Sequence, residues 1–136
     1  MEKLTKNNLK KVLIISPNWI GDSIMAEPLF SHLKKEYGSH ITILCPKFLL
    51  EIFEHMNSVD SILTHNFKSG KLELKERFLY GKGLENNFTA CILLTNSLKS
   101  AIIPFIAKIP LRIGYDSEIR KFLLTNPKKK AKKASN

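Results

Sequence analysis

The sequence predicts an α/β domain, a parallel sheet with helices on both faces, and three observations predict it. Apolar runs without polar alternation recur along the chain, beginning with Val12-Leu13-Ile14-Ile15, as in strands buried on both faces. Segments with helical spacing separate these runs, and strands that alternate with helices build parallel sheets. The length of 136 residues suits one domain with a real core and is too short for two full α/β lobes.

Taken in order, 1–10 read as an N-terminal extension and 12–15 as the first strand. Ile24, Met25, Pro28, Leu29, Leu33 and Tyr37 then follow helical spacing, and Gly38 is the stop. Pro28 lies near the first turns, where proline is tolerated. A second strand at 41–45 ends at Pro46. Residues 48–56 form a short amphipathic helix and 59–63 a third strand. The charged, periodic stretch 71–84 is a helix whose end Gly81 and Gly83 fray. The fourth strand, 89–94, leads through the polar turn Thr95-Asn96-Ser97 into an apolar helix that reaches Ala107 and is bent or shortened by Pro104. Residues 111–115 are a fifth strand, and 119–124 a last short helical or irregular piece. The domain spans 11–125, and the lysine-rich, low-complexity tail 126–136 is expected to be disordered.

Composition narrows the function classes. With 43% hydrophobic and 25% charged residues the chain reads as soluble and globular. No apolar run is long enough to span a bilayer. Residues 1–6 lack a signal-peptide apolar core, so a cytoplasmic location is expected. Cys45 and Cys91 sit in strand-like runs and read as buried thiols, too few and too dispersed for a zinc site or a disulfide framework. Five lysines between 128 and 133 supply half of the +10 net charge. The remaining moderate excess suits anionic ligands or an anionic membrane surface. No RNA-binding motif or aromatic array accompanies it, so no specific nucleic acid is expected. The dinucleotide and phosphate-loop glycine patterns and the H-E-x-x-H metal motif are missing. His32, His40, His55 and His65 are scattered and read as surface or helix-end residues.

The most informative stretch is Ser16-Pro17-Asn18-Trp19-Ile20-Gly21-Asp22-Ser23-Ile24-Met25, which follows a buried strand and opens a helix. Open parallel sheets bind ligands outside the carboxyl ends of their strands. That edge gathers Asn18, Trp19 and Asp22, then Lys47, then Thr95, Asn96, Ser97 and Lys99, then Tyr115 and Asp116. Gly21 permits a tight turn or a close ligand approach. A lone carboxylate among hydroxyl, amide and ammonium groups fits a polyhydroxylated, anionic substrate, with Asp22 taking a proton from a hydroxyl. The plainer alternatives are that Asp22, Asn96 and Ser97 only start helices, Lys47 is only solvated and Trp19 only packs the lobe.

The same stretch resembles the opening motif of bacterial lipopolysaccharide heptosyltransferases of glycosyltransferase family 9, above all heptosyltransferase II. Three further segments are similar and in the same order: Leu94-Thr95-Asn96-Ser97-Leu98-Lys99-Ser100-Ala101, then Ile103-Pro104-Phe105 leading to Ile109-Pro110, then Arg112-Ile113-Gly114-Tyr115. The piece from Glu118 through Arg120 to Leu124 is similar too, so that the likeness covers about 10–125. It implies a GT-B enzyme of two facing Rossmann-like lobes, inverting, with no metal and no cofactor besides the sugar-nucleotide donor ADP-heptose. It implies transfer of heptose to the lipopolysaccharide inner core, on Kdo-lipid A or its heptosylated form. Asp22 matches the family's catalytic base. Asn18, Trp19, Asn96 and Ser97 fall in the substrate-binding motifs, and Lys99, Arg112 and Arg120 are the candidates for acceptor anions.

The resemblance ends near Leu124-Thr125, and the donor lobe with its Asn-Asp-Ser-Gly segment has no counterpart in the sequence. The expectation is an acceptor-side lobe, peripheral on the inner face of the inner membrane, with little transferase activity by itself. A frameshift, and a donor lobe encoded as a separate chain, both account for this. A related transferase for another sugar of the core, and a non-enzymatic basic module binding acidic membrane or nucleic acid through its tail, are the competing readings.

Overall fold

The computed structural model describes residues 4–68, 71–95, 98–115 and 126–128. Among them the strands are β1 (Lys11–Ile15), β2 (His40–Pro46), β3 (Ser61–His65), β4 (Ala90–Leu93), β5 (Leu111–Tyr115) and β6 (Asn126–Lys128). All pair in parallel, in the order β3-β2-β1-β4-β5-β6. The helices are α1 (Ile20–Met25), α2 (Glu27–Tyr37), α3 (Leu50–Glu54), α4 (Leu74–Gly83) and α5 (Leu98–Ile106). No helix among the described residues is long and apolar enough to cross a membrane.

Successive side chains of a strand point to opposite faces, so β1 feeds two cores. Val12 and Ile14 pack with Ile41, Ile43, Phe30 of α2 and Phe53 of α3 on one face. Leu13 and Ile15 pack with Leu44, Leu93 and the α5 residues Ala101 and Ile103 on the other. Helices on both faces are the reason the central strands lack polar alternation. Cys45 and Cys91 are buried free thiols, and burial pushes the Cys45 thiol up to about 11. The N-terminal stretch is tied to this core: Leu9 is buried, and the Ser39 hydroxyl donates to its carbonyl at 2.6 Å.

Several elements differ from the sequence expectation. The helix after β1 is two helices, because Pro28 has no N–H to continue α1 and instead takes the second position of a new first turn, with Ala26 flanking both. Gly38 stops α2 in the left-handed conformation, as expected. β3 lies two residues later than 59–63. The Asp60 carboxylate accepts from the Ile41 N–H at 2.8 Å and pairs with Lys34, which sets the entry of β3 beside β2 and carries His65 to the carboxyl edge. α4 continues through Gly81, where it lies against α5, and α5 runs two residues past Pro104. Asn126–Lys128, the start of the expected tail, pairs with β5 as an edge strand, a position that tolerates Pro127. The expected piece at 119–124 and the rest of the tail lie outside the described residues.

Candidate functional site

Strand order reverses between β1 and β4, and α/β sheets open a ligand crevice at the carboxyl ends of such a pair. A cleft of about 660 Å³ lies there. After β1, the Ser16 N–H still bonds to the Leu44 carbonyl at 3.0 Å, while the Ser16 hydroxyl donates to the Pro17 carbonyl at 2.9 Å and turns the chain out of the sheet. Asn18 and Trp19 then line the cleft, and Trp19 is 72% exposed, so it does not pack the lobe. Trp19 is also the extended N-cap residue of α1, and its carbonyl accepts both the Ser23 N–H (3.0 Å) and the Ser23 hydroxyl (2.8 Å).

Asp22 sits in the first turn of α1, exposed, three residues past the N-cap, and makes no capping bond. Its carboxylate has no hydrogen bond or ion pair among the described residues. It lies on the short helix beside the cleft and is not one of the residues lining it. A Cβ on the neighbouring Gly21 meets nothing within 4 Å, so the fold itself does not require glycine there.

The other strand ends complete the cleft. Lys47 and Phe48 come after β2, and His65, Asn66, Phe67 and Lys68 from β3 and beyond. Thr95, Lys99 and Ser100 come from β4 and α5, with the Thr95 hydroxyl donating to Ser100. Asn96, Ser97, Arg120 and Asp116 lie outside the described residues. Arg112 is not brought to this site. It stands near the start of β5, away from the carboxyl edge, where its guanidinium donates to the Ile109 carbonyl (2.6 Å) and lies 5.4 Å from the Phe105 ring centre. There it lines a second, shallower groove with Phe78, Lys82 and Lys108, and burial lowers its pKa from the usual value.

Two cleft residues stand out that the sequence reading does not single out. Arg77 of α4 is 8% exposed, its Nε donating to the Leu72 carbonyl (2.7 Å) and Nη1 to the Lys99 carbonyl (3.4 Å). Its guanidinium lies 4.3 Å from the Phe67 ring centre, and Phe67 stacks on His65 with centroids 4.6 Å apart. Burial first, and Arg77 second, push His65 down to about 4, so it is neutral at pH 7. Its Nδ1 accepts the Phe67 N–H at 3.2 Å, which places the proton on Nε2. A compositional signal for Arg77 exists: the chain has only three arginines among 22 basic residues, and arginine suits buried, multidentate anion sites better than lysine.

Fold and cleft together are those of a Rossmann-like α/β unit with a cleft at the strand carboxyl ends. Residues 77–136 match the model of glycosyltransferase family 9 (heptosyltransferase). It is 38% identical over 117 residues to lipooligosaccharide heptosyltransferase 2 of Haemophilus ducreyi, covering 85% of this chain and 34% of that protein. It is 34% identical over 118 residues to lipopolysaccharide heptosyltransferase 2 of Escherichia coli, with the same coverages. The solved structure of E. coli ADP-heptose lps heptosyltransferase II superposes with a TM-score of 0.81 at 31% identity, over 91% of this chain and 36% of that one. A glycosyl transferase family 9 structure from Veillonella parvula shares the fold, with a TM-score of 0.75 at 16% identity over the same fractions. The chain spans about a third of the length of the curated relatives it matches.

Proposed function

We propose that this chain is the acceptor-side lobe of an inverting heptosyltransferase II-like enzyme, with Asp22 as the general base. The observation that carries the reading is the position of Asp22: an exposed, unpaired carboxylate on the helix that follows β1, where the strand order reverses. In the proposed reaction Asp22 takes the proton of an inner-core hydroxyl as that oxygen attacks the anomeric carbon of ADP-heptose. The new glycosidic bond forms as the bond to ADP breaks, and ADP leaves with the electron pair. The base contributes roughly 10²–10⁴-fold.

The donor is held by a second lobe facing the cleft. Trp19, Ile24, Met25 and Phe48 are apolar and exposed on and beside the cleft edge, as expected of a surface that another lobe covers. Without it the anomeric carbon is not held in line, so the chain alone should transfer little. The test is ADP release from ADP-heptose with a heptosylated Kdo-lipid A acceptor, with and without a donor lobe supplied as a second chain. Activity should require the donor lobe and fall roughly 10²–10⁴-fold in Asp22→Asn, with the melting curve unchanged. Full activity in Asp22→Asn removes Asp22 from the mechanism.

A further inference from the structure

The opening motif accounts for one edge of the cleft, and a different set of residues dominates its charge. Lys47, Lys68, Arg77 and Lys99 line it with no Asp or Glu among the lining residues. Arg77 is the least ordinary of these. A guanidinium carries five N–H donors, and this one is more than nine-tenths buried with only two carbonyl oxygens bound, one of them at 3.4 Å. No carboxylate forms an ion pair with it among the described residues. The nearby acid Glu73 accepts the Lys68 N–H at 2.6 Å instead. Glu73 acts on the Arg77 charge without touching it, so the bonded partners of the fork are two neutral carbonyls and it keeps N–H donors for a further oxyanion.

We infer that Arg77 anchors a phosphate-binding subsite on the β3 side of the cleft, with Lys47 and Lys68 adding charge and His65 Nε2–H a further donor. A dianionic tetrahedral group matches several cations and no acid better than a single carboxylate does, and the guanidinium fork binds such oxyanions through paired N–H bonds. Phe67, between the Arg77 and His65 side chains, holds both groups in place. The subsite rests on the acceptor reading for the source of the phosphate, a phosphorylated saccharide; the binding chemistry itself stands apart from transfer.

The test uses the purified chain and needs neither donor nor transfer, so it can fail or succeed independently of Asp22. Inorganic phosphate, at constant ionic strength, should saturably shift the Arg77 Nε–Hε and His65 ring NMR signals in the millimolar range, and acetate should not. A hexose phosphate should compete with inorganic phosphate, whereas phosphatidylglycerol vesicles should leave both signals in place. Arg77→Met keeps the packing on Phe67 and removes the charge. It should melt no lower than the parent and bind phosphate at least about tenfold more weakly, a loss that a purely structural arginine would not show. If Arg77→Met does not fold, Lys68→Ala, at an exposed position, serves in its place and should weaken phosphate binding several-fold. Unshifted Arg77 signals at saturating phosphate, equal binding by the variant that folds, or a response to vesicles in place of the sugar phosphate would each overturn the assignment.

Discussion

Replacing Gly81 by alanine adds one methyl group where α4 meets α5, and the geometry sets the size of the effect. A Cβ at this position lies 2.8 Å from Ile106 Cβ, 3.0 Å from the Ile103 carbonyl oxygen and 3.0 Å from Ile106 Cγ2. Carbon atoms are comfortable at about 3.5–4.0 Å, and neither the carbonyl nor Cβ can rotate away, so the helices must separate by several tenths of an ångström. Overpacking costs about 1–3 kcal/mol, and contacts of 2.8 and 3.0 Å to atoms that cannot swing aside put this site at about 2–3 kcal/mol. Alanine recovers roughly 1 kcal/mol through its better helix propensity. The net loss is about 1–2 kcal/mol, or roughly 3–10 °C in melting temperature for a domain of this size. Gly83, two residues on, is the internal control, since a Cβ there meets nothing within 4 Å. Gly83→Ala should be neutral or gain up to about 1 kcal/mol. Urea and thermal unfolding followed by far-UV circular dichroism measure both. A Gly81→Ala variant as stable as the parent, or two glycine variants that move together, would refute close packing as the role of Gly81.

Two further outcomes follow from the core and the cleft. Phe30 is fully buried and packs against Phe53 at 6.3 Å between ring centres, so Phe30→Ala should cost about 3–5 kcal/mol in urea unfolding, and a much smaller loss would mean that this face of the sheet is not close-packed. His65, pushed down to about 4 from an ordinary 6.5, binds a proton in the unfolded chain before it does in the folded one. Its contribution to stability is therefore complete above pH 6.5 and declines as pH falls from 6.5 towards 4. His65→Gln should flatten that part of the pH–stability curve, and an unchanged slope would exclude His65 as its source.

What is legible in the sequence is what local pattern encodes. The 12–15 run reads as a central strand because both of its faces are buried, and the acid of the opening motif reads as a site because the motif directly follows that strand. The rest depends on partners distant in sequence. The register of β3 is set by a carboxylate at Asp60 that reaches back to Ile41 and Lys34, beyond any local window. The burial of Arg77 follows from the approach of α4 to α5 at Gly81 and from the fold of Phe67 beneath it, neither of which leaves a periodic trace. Arg112 sits in one of the segments that carry the family resemblance, but its place near the beginning of a parallel strand sets it away from the carboxyl edge and the cleft.

The shortness of α1 has a mechanical consequence. Its six residues bury only Ser23, and Pro28 severs it from α2. So few residues have little helical stability of their own, and segments held this lightly open at the low end of a protein's free-energy scale. Asp22 is thus mounted on an adjustable bracket, while the β3 side of the cleft is bolted to the core through Phe67 and Tyr80. A surface that closes over Ile20, Ile24 and Met25 clamps the bracket and the acid with it. In the proposed reaction, docking of the second lobe and alignment of Asp22 would then be one event.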